Sequence, residues 1–97
     1  MAYAVVLFFP NGTKEQYENT IDVVHPDHGT LPPGQIYHAA GASEGGWTVV
    51  AVHKTKADWK QFRDGTLMPK LQAGIPGGFT SAPEEQAFEV HHLNIQS

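Results

Sequence analysis

The chain predicts an α+β domain built in the order β-α-β-β-α-β. Three observations carry this. Residues 2–9 and 48–52 are apolar runs of strand length without polar alternation, the pattern of strands covered on both faces. Thr13 and Thr55 each open a helical pattern with a capping-box spacing. Ser43-Glu44-Gly45-Gly46 separates two strand-like segments and reads as a hairpin turn.

The first strand ends at Pro10-Asn11-Gly12. In Thr13-Lys14-Glu15-Gln16 the Thr hydroxyl accepts from the third backbone N–H, and Gln16 reaches back to the cap. Tyr17, Ile21 and Val24 follow at i, i+4 and i+7, one apolar stripe that predicts core packing. Residues 25–34 form a loop, where Pro33-Gly34 suits a type II turn because Pro fixes the first φ and Gly supplies the positive second one. Strands are expected over 35–42 and 47–54. Thr55-Lys56-Ala57-Asp58 then caps a second helix whose apolar face begins with Trp59 and Phe62. Gly65 and Pro69 predict a break or kink there, and Leu67, Met68 and Leu71 do not continue the stripe cleanly. A Gly- and Pro-rich loop over 74–83 leads to a fourth strand over 87–95.

Right-handed crossovers place this order in a four-stranded antiparallel sheet, 4-1-3-2, the ferredoxin-like arrangement. It puts strands one and three in the centre, and these are the two apolar runs. Two helices cover one face of such a sheet. The other face would expose apolar side chains, which predicts a homodimer through the open sheet face. The alternative is a monomer whose loops cover that face.

Ninety-seven residues make a single domain, 1–97, that buries roughly 60–65% of its unfolded surface. A formal charge of −4 and the lack of a basic stripe argue against nucleic acid as a partner. The chain has no cysteine, which removes disulfides, thiolate chemistry and cysteine-ligated zinc. Residues 2–9 lack a basic n-region and are too short to span a bilayer. The expectation is a cytoplasmic protein with no membrane partner.

Chemistry depends on hairpin register. With an even turn, Ile36, His38 and Ala40 share a face with Trp47, Val49, Ala51 and His53. A three-residue turn would break that parity. On the even register His38 and His53 are the candidate catalytic imidazoles, able to act as acid, base or donor near neutral pH. Half-exposed strand-end histidines are the plainer alternative. Trp47 and Trp59 are candidates to stack on a planar ligand, or simply core aromatics. Arg63 is a candidate to hold a negative substrate group, or to pair with a surface acid. His25-Pro26-Asp27-His28 has metal-ligand residue types, but Pro26 breaks helical spacing and no further ligand is near, so a solvated loop is favoured and no metal is expected. His91-His92 point to opposite faces if they lie on a strand.

The loop from His25-Pro26 to Leu31-Pro32-Pro33-Gly34-Gln35 carries a family likeness, as do Gly41-Ala42-Ser43-Glu44-Gly45-Gly46-Trp47 and Trp59-Lys60-Gln61-Phe62. Leu67-Met68-Pro69 and Ala73-Gly74-Ile75-Pro76 complete it. On these residues the chain resembles the dimeric α+β barrel superfamily, close to the antibiotic-biosynthesis-monooxygenase-like proteins. The resemblance implies a protomer whose sheet joins its partner's to close a barrel, with a cavity between sheet and helices. It also implies an activity range of cofactor-free monooxygenases on phenolic or polyketide aromatics, haem degradation, and lactone isomerisation or cyclisation. Two functions follow. One is a cofactor-independent monooxygenase-like enzyme acting on a small aromatic or quinol-type substrate, with no bound metal or flavin. The other is a non-catalytic dimer that binds a small hydrophobic ligand or serves a regulatory role.

Overall fold

The computed structural model describes residues 1–25, 27 and 29–95. Strand β1 (Tyr3–Pro10) leads to helix α1 (Lys14–Val24), the hairpin β2 (Gln35–Ser43) and β3 (Gly46–His53), and helix α2 (Lys56–Phe62). A π turn (Arg63–Leu67), helix α3 (Met68–Ala73) and strand β4 (Glu84–Glu89) complete the chain. The strands form one antiparallel sheet in the order β2-β3-β1-β4, which is 4-1-3-2 counted from the opposite edge. The two apolar runs are the central strands.

Cross-strand partners share a face, so the pairs Val5↔Ala51, Leu7↔Val49 and Phe9↔Trp47 fix which side of β1 and β3 meets the helices. Val5, Leu7, Phe9, Trp47 and Val49 form the core with Val24, Trp59 and Leu67. Burying each large apolar side chain contributes about 1.5–3 kcal/mol.

Both caps form, but unequally. Thr13 accepts from the Gln16 N–H at 3.1 Å while Gln16 returns a bond to the Thr13 N–H, also 3.1 Å. Thr55 accepts from the Asp58 N–H at 3.0 Å, whereas the Asp58 carboxyl does not reach back and lies against Gly34. Asp is one methylene shorter than the Glu of a full box.

The kink expected around Gly65 and Pro69 takes the form of a π turn. The Met68 N–H bonds the Arg63 carbonyl, five residues back. A π turn takes up one extra residue. The apolar stripe that would run 59, 62, 66, 70 therefore runs Trp59, Phe62, Leu67, Leu71, and the widened backbone admits Pro69.

The fourth strand lies earlier than expected, at Glu84–Glu89 rather than 87–95. Its register explains this: Glu89 pairs with Tyr3, and the Val90 N–H bonds the Ala2 carbonyl at 2.8 Å, which brings the ladder to the beginning of β1. On the face away from the helices lie Val6, Phe8, Val50 and Val52, with Tyr37 and Phe88 exposed. Leu93 and Ile95 border a shallow depression there with Tyr37 and Val52. No helix among the described residues is long and apolar enough to cross a membrane.

Candidate functional site

Ser43 pairs with Gly46 across the two-residue turn Glu44-Gly45, whose Gly45 takes φ 80°. The even register follows. Ala42, Ala40 and His38 stand opposite Trp47, Val49 and Ala51 on the helix side of the sheet.

Closer to the loop the register changes. A β-bulge between Gln35 and Tyr37 leaves Ile36 without a cross-strand partner and sets Gln35, not Ile36, opposite His53. Ile36 is exposed, and Gln35 takes the place on the helix face that unbroken alternation assigns to it. The bulge is held by its neighbours. Gln35 donates its N–H to the Pro32 carbonyl at 3.0 Å, closing a turn in which Gly34 takes φ 85°. The Gly34 carbonyl accepts from the Lys54 N–H at 2.7 Å.

These placements bring four polar side chains into one chain of contacts. The Tyr17 hydroxyl lies 2.7 Å from His38 Nε2, His38 Nδ1 lies 2.9 Å from Gln35 Oε1, and Gln35 Nε2 lies 3.4 Å from His53 Nε2. His53 is fully buried, its ring centroid 5.3 Å from that of Trp59. A third imidazole joins from the end of α1: His25, whose N–H bonds the Ile21 carbonyl, has its ring centroid 4.9 Å from that of His38. His25 and His53 are both buried, and His38 is half-buried.

Desolvation sets the charge of the cluster. It pushes the pKa of His38 down to about 4, with the neighbouring His25 and His53 adding to the effect. Burial likewise lowers His25, against a backbone hydrogen bond with Gly29 that raises it. Burial lowers His53, opposed by the Asp58 carboxylate. Burial raises Tyr17. At neutral pH the result is neutral imidazoles next to a neutral phenol, a set able to accept or pass a proton.

Two spaces adjoin this cluster. A void of about 30 Å³ between sheet and helices is bordered by Leu7, Tyr17, His38 and Trp59, among others. An open cleft of about 410 Å³ is bordered by Pro33, Asp58, Gln61 and Thr66. Val24, His25 and Phe62 line both and so form the partition between them.

The candidates from sequence therefore divide. His38 borders the inner void, while His53 lies behind Gln35 and borders neither space. Trp59 borders the void, and Trp47 lies in the core with its ring centroid 5.3 Å from that of Tyr17. The Nε1 atoms of both tryptophans and Nδ1 of His53 are buried without a hydrogen-bond partner among the described residues. Arg63 sits over the Trp59 ring and pairs with Asp64 at 2.9 Å and Glu85 at 3.2 Å, bordering neither space. Both partners are exposed acids. His91 and His92 are exposed and lie beyond β4, not on a strand. Among the described residues no group of three His, Asp or Glu could hold a metal ion; His28 and Pro26 of the metal-like motif lie outside them.

Sequence reasoning passed over three residues. Tyr17 reads as one member of a core stripe, and His25 is absorbed into a metal-like motif. The signal for Gln35 was the Pro33-Gly34 turn directly before it, where a strand begins under constraint.

No family model matches the chain, and no curated protein matches it in sequence. Among solved structures it is similar to SnoaB, a cofactor-independent oxygenase from Streptomyces nogalater, determined in a mutant form. The match has a TM-score of 0.59 at 14% identity and covers 95% of this chain and 94% of that one. The two share a fold.

Proposed function

We propose that this protein is a cofactor-independent, monooxygenase-like enzyme acting on a small aromatic or quinol-type substrate. The observation that carries the reading is the Tyr17–His38 pair, a neutral imidazole bonded to a phenol beside the helix-side void. The fold shared with a cofactor-independent oxygenase supports it. The cleft of about 410 Å³ is within the size range of small-molecule sites. The void of about 30 Å³ has room for a water molecule but not for an aromatic ring, since a dry cavity that takes benzene measures ~150 Å³. The ring therefore docks in the cleft, and its reacting edge enters past His25 and Phe62.

In this scheme the substrate phenol gives its proton to Tyr17 as Tyr17 passes its own to His38. Moving a proton from a phenol near 10 to an imidazole of about 4 costs roughly 8 kcal/mol. The attraction between the His38 imidazolium and the substrate phenolate, about 5.5 Å apart across the Tyr17 hydroxyl, returns roughly 3 kcal/mol at an effective dielectric of about 20. The remaining ~5 kcal/mol fits within the barrier of ~16 kcal/mol that ten turnovers per second allows. Acidified phenols are favoured accordingly. The anion carbon that bears hydrogen in the keto tautomer then forms a C–O bond with dioxygen. The peroxide anion takes back the proton from His38 through Tyr17, and the hydroperoxide so formed loses water, so that one oxygen atom stays as a carbonyl and the other leaves as water.

The same reading makes the protein a homodimer through the open sheet face, where Val6, Phe8, Val50 and Val52 lie without a covering helix. A second reading, a non-catalytic binder of small hydrophobic ligands, is favoured by the aliphatic and aromatic side chains that make up most of the lining of the helix-side void.

Oxygen uptake with a panel of quinols tests the choice. Uptake by the native chain that falls about 10²–10⁴-fold in His38→Ala supports the enzyme. Undiminished turnover in that variant removes His38 as the base. Saturable quinol binding without oxygen uptake selects the binder.

A further inference from the structure

In a regular strand, residues three apart point to opposite faces. Gln35 and His38 nevertheless bond to each other, because the bulge at Ile36 inserts one residue between them and turns Gln35 onto the His38 face. The amide is then buried between two imidazoles, with one acceptor and one donor group to offer. Whatever it offers His38, it offers the opposite to His53.

Two directions of bonding satisfy this chain, and the phenol decides between them. An imidazole nitrogen is a far better acceptor than a phenol oxygen, and a phenol is the better donor. The 2.7 Å contact is therefore Tyr17 O–H donating to His38 Nε2. His38 then carries its proton on Nδ1 and donates it to Gln35 Oε1 at 2.9 Å. The Gln35 amide donates to His53 Nε2 at 3.4 Å, leaving the His53 proton on its buried, unpartnered Nδ1.

We infer that Gln35 is a positioning residue: it holds His38 as the Nδ1–H tautomer, so that Nε2 is the free base facing Tyr17, and it sets the tautomer of His53 at the same time. The catalytic value of this assignment rests on the reading of His38 as the base; the tautomers themselves do not.

Nitrogen-resolved NMR of the imidazoles in the full chain gives the first test. The native protein is expected to show His38 protonated at Nδ1 and open at Nε2. His38 protonated at Nε2 and open at Nδ1 overturns the proposal. Gln35→Glu presents acceptors to both sides, so His53 should gain a proton at Nε2 while His38 keeps its proton at Nδ1. An unchanged His53 overturns it too. In kinetics, Gln35→Leu should lower kcat by about 10–100-fold, the scale on which a lost orienting partner acts, with KM within about twofold. Gln35→Glu should restore turnover and move the acidic limb of the pH profile upward, which a merely structural role would not do. Full kcat in a folded Gln35→Leu overturns the proposal. Quinol turnover absent from the native chain removes the enzyme reading alone, since the imidazole spectra still decide the tautomers.

Discussion

Burial keeps Tyr17 and His38 neutral, and their pairing has consequences that can be measured. Tyr17→Phe keeps the ring against Trp47 but leaves His38 Nε2 without its donor. Quinol turnover should fall by about 10²-fold while stability falls by about 1–3 kcal/mol, the cost of leaving a buried acceptor unpaired. Oxygen uptake and urea unfolding of the same variant check the two halves. The depressed His38 also makes stability depend on pH. Its folded pKa of about 4 lies below the usual 6.5, so the unfolded chain binds the proton more readily between those values. Stability is fully present above 6.5 and is lost as pH falls towards 4, a loss that solvent at the half-buried ring moderates. His25 and His53 are shifted in the same direction and deepen the loss. Urea midpoints at pH 7 and pH 4.5 should differ accordingly; equal midpoints would mean the imidazoles are already solvated. His38 was legible in the sequence to the extent that strand parity puts it on one face with Trp47, Val49 and Ala51; that this face meets the helices comes from the packing. Gln35 was not, because parity assigns it the wrong face. His25 is at the end of α1, where its ring meets His38 only through tertiary packing.

Among the elements, the 32–35 turn controls most. Gly34 has φ 85°, and a Cβ there would stand 2.5 Å from the Asp58 Cγ. Gly34→Ala is strained by the backbone and by the contact, and should cost about 1–3 kcal/mol in chemical denaturation. It should also disturb the Gln35–His38 bond, visible as a shift of the His38 imidazole resonances. A neutral result would mean the turn relaxes freely and does not anchor the bulge. The π turn acts differently. Residues 55–73 show in sequence that an α-helical stripe fails after Phe62, but not how it fails. A break, a kink and one added residue all satisfy Gly65 and Pro69. Only the need to bring Leu67 and Leu71 back onto the sheet selects the π turn.

At the scale of the whole molecule, the strand order was readable because burial on both faces is written into β1 and β3 as unbroken apolar runs. The ends of β4 were not, since an edge strand with charged residues takes its limits from the partner it pairs with. The open face gives the clearest test of assembly. Val50→Lys places a charge among Val6, Phe8 and Val52 without touching the core. On the proposed homodimer, sedimentation should show dimer for the native chain and monomer for this variant. A native chain that sediments as a monomer would leave that face to another role.

Ile36, the residue without a cross-strand partner, gives β2 two different phases along its length. Everything beyond it towards the hairpin keeps one alternation, and Gln35 keeps the other. A chain of this fold that lacked the extra residue would retain sheet, helices and hairpin, yet present a different side chain to His53. Divergence at this site therefore need not proceed by exchanging one amino acid for another. Gaining or losing a single position at the head of β2 would rewrite the interior chemistry while the architecture stayed as it was.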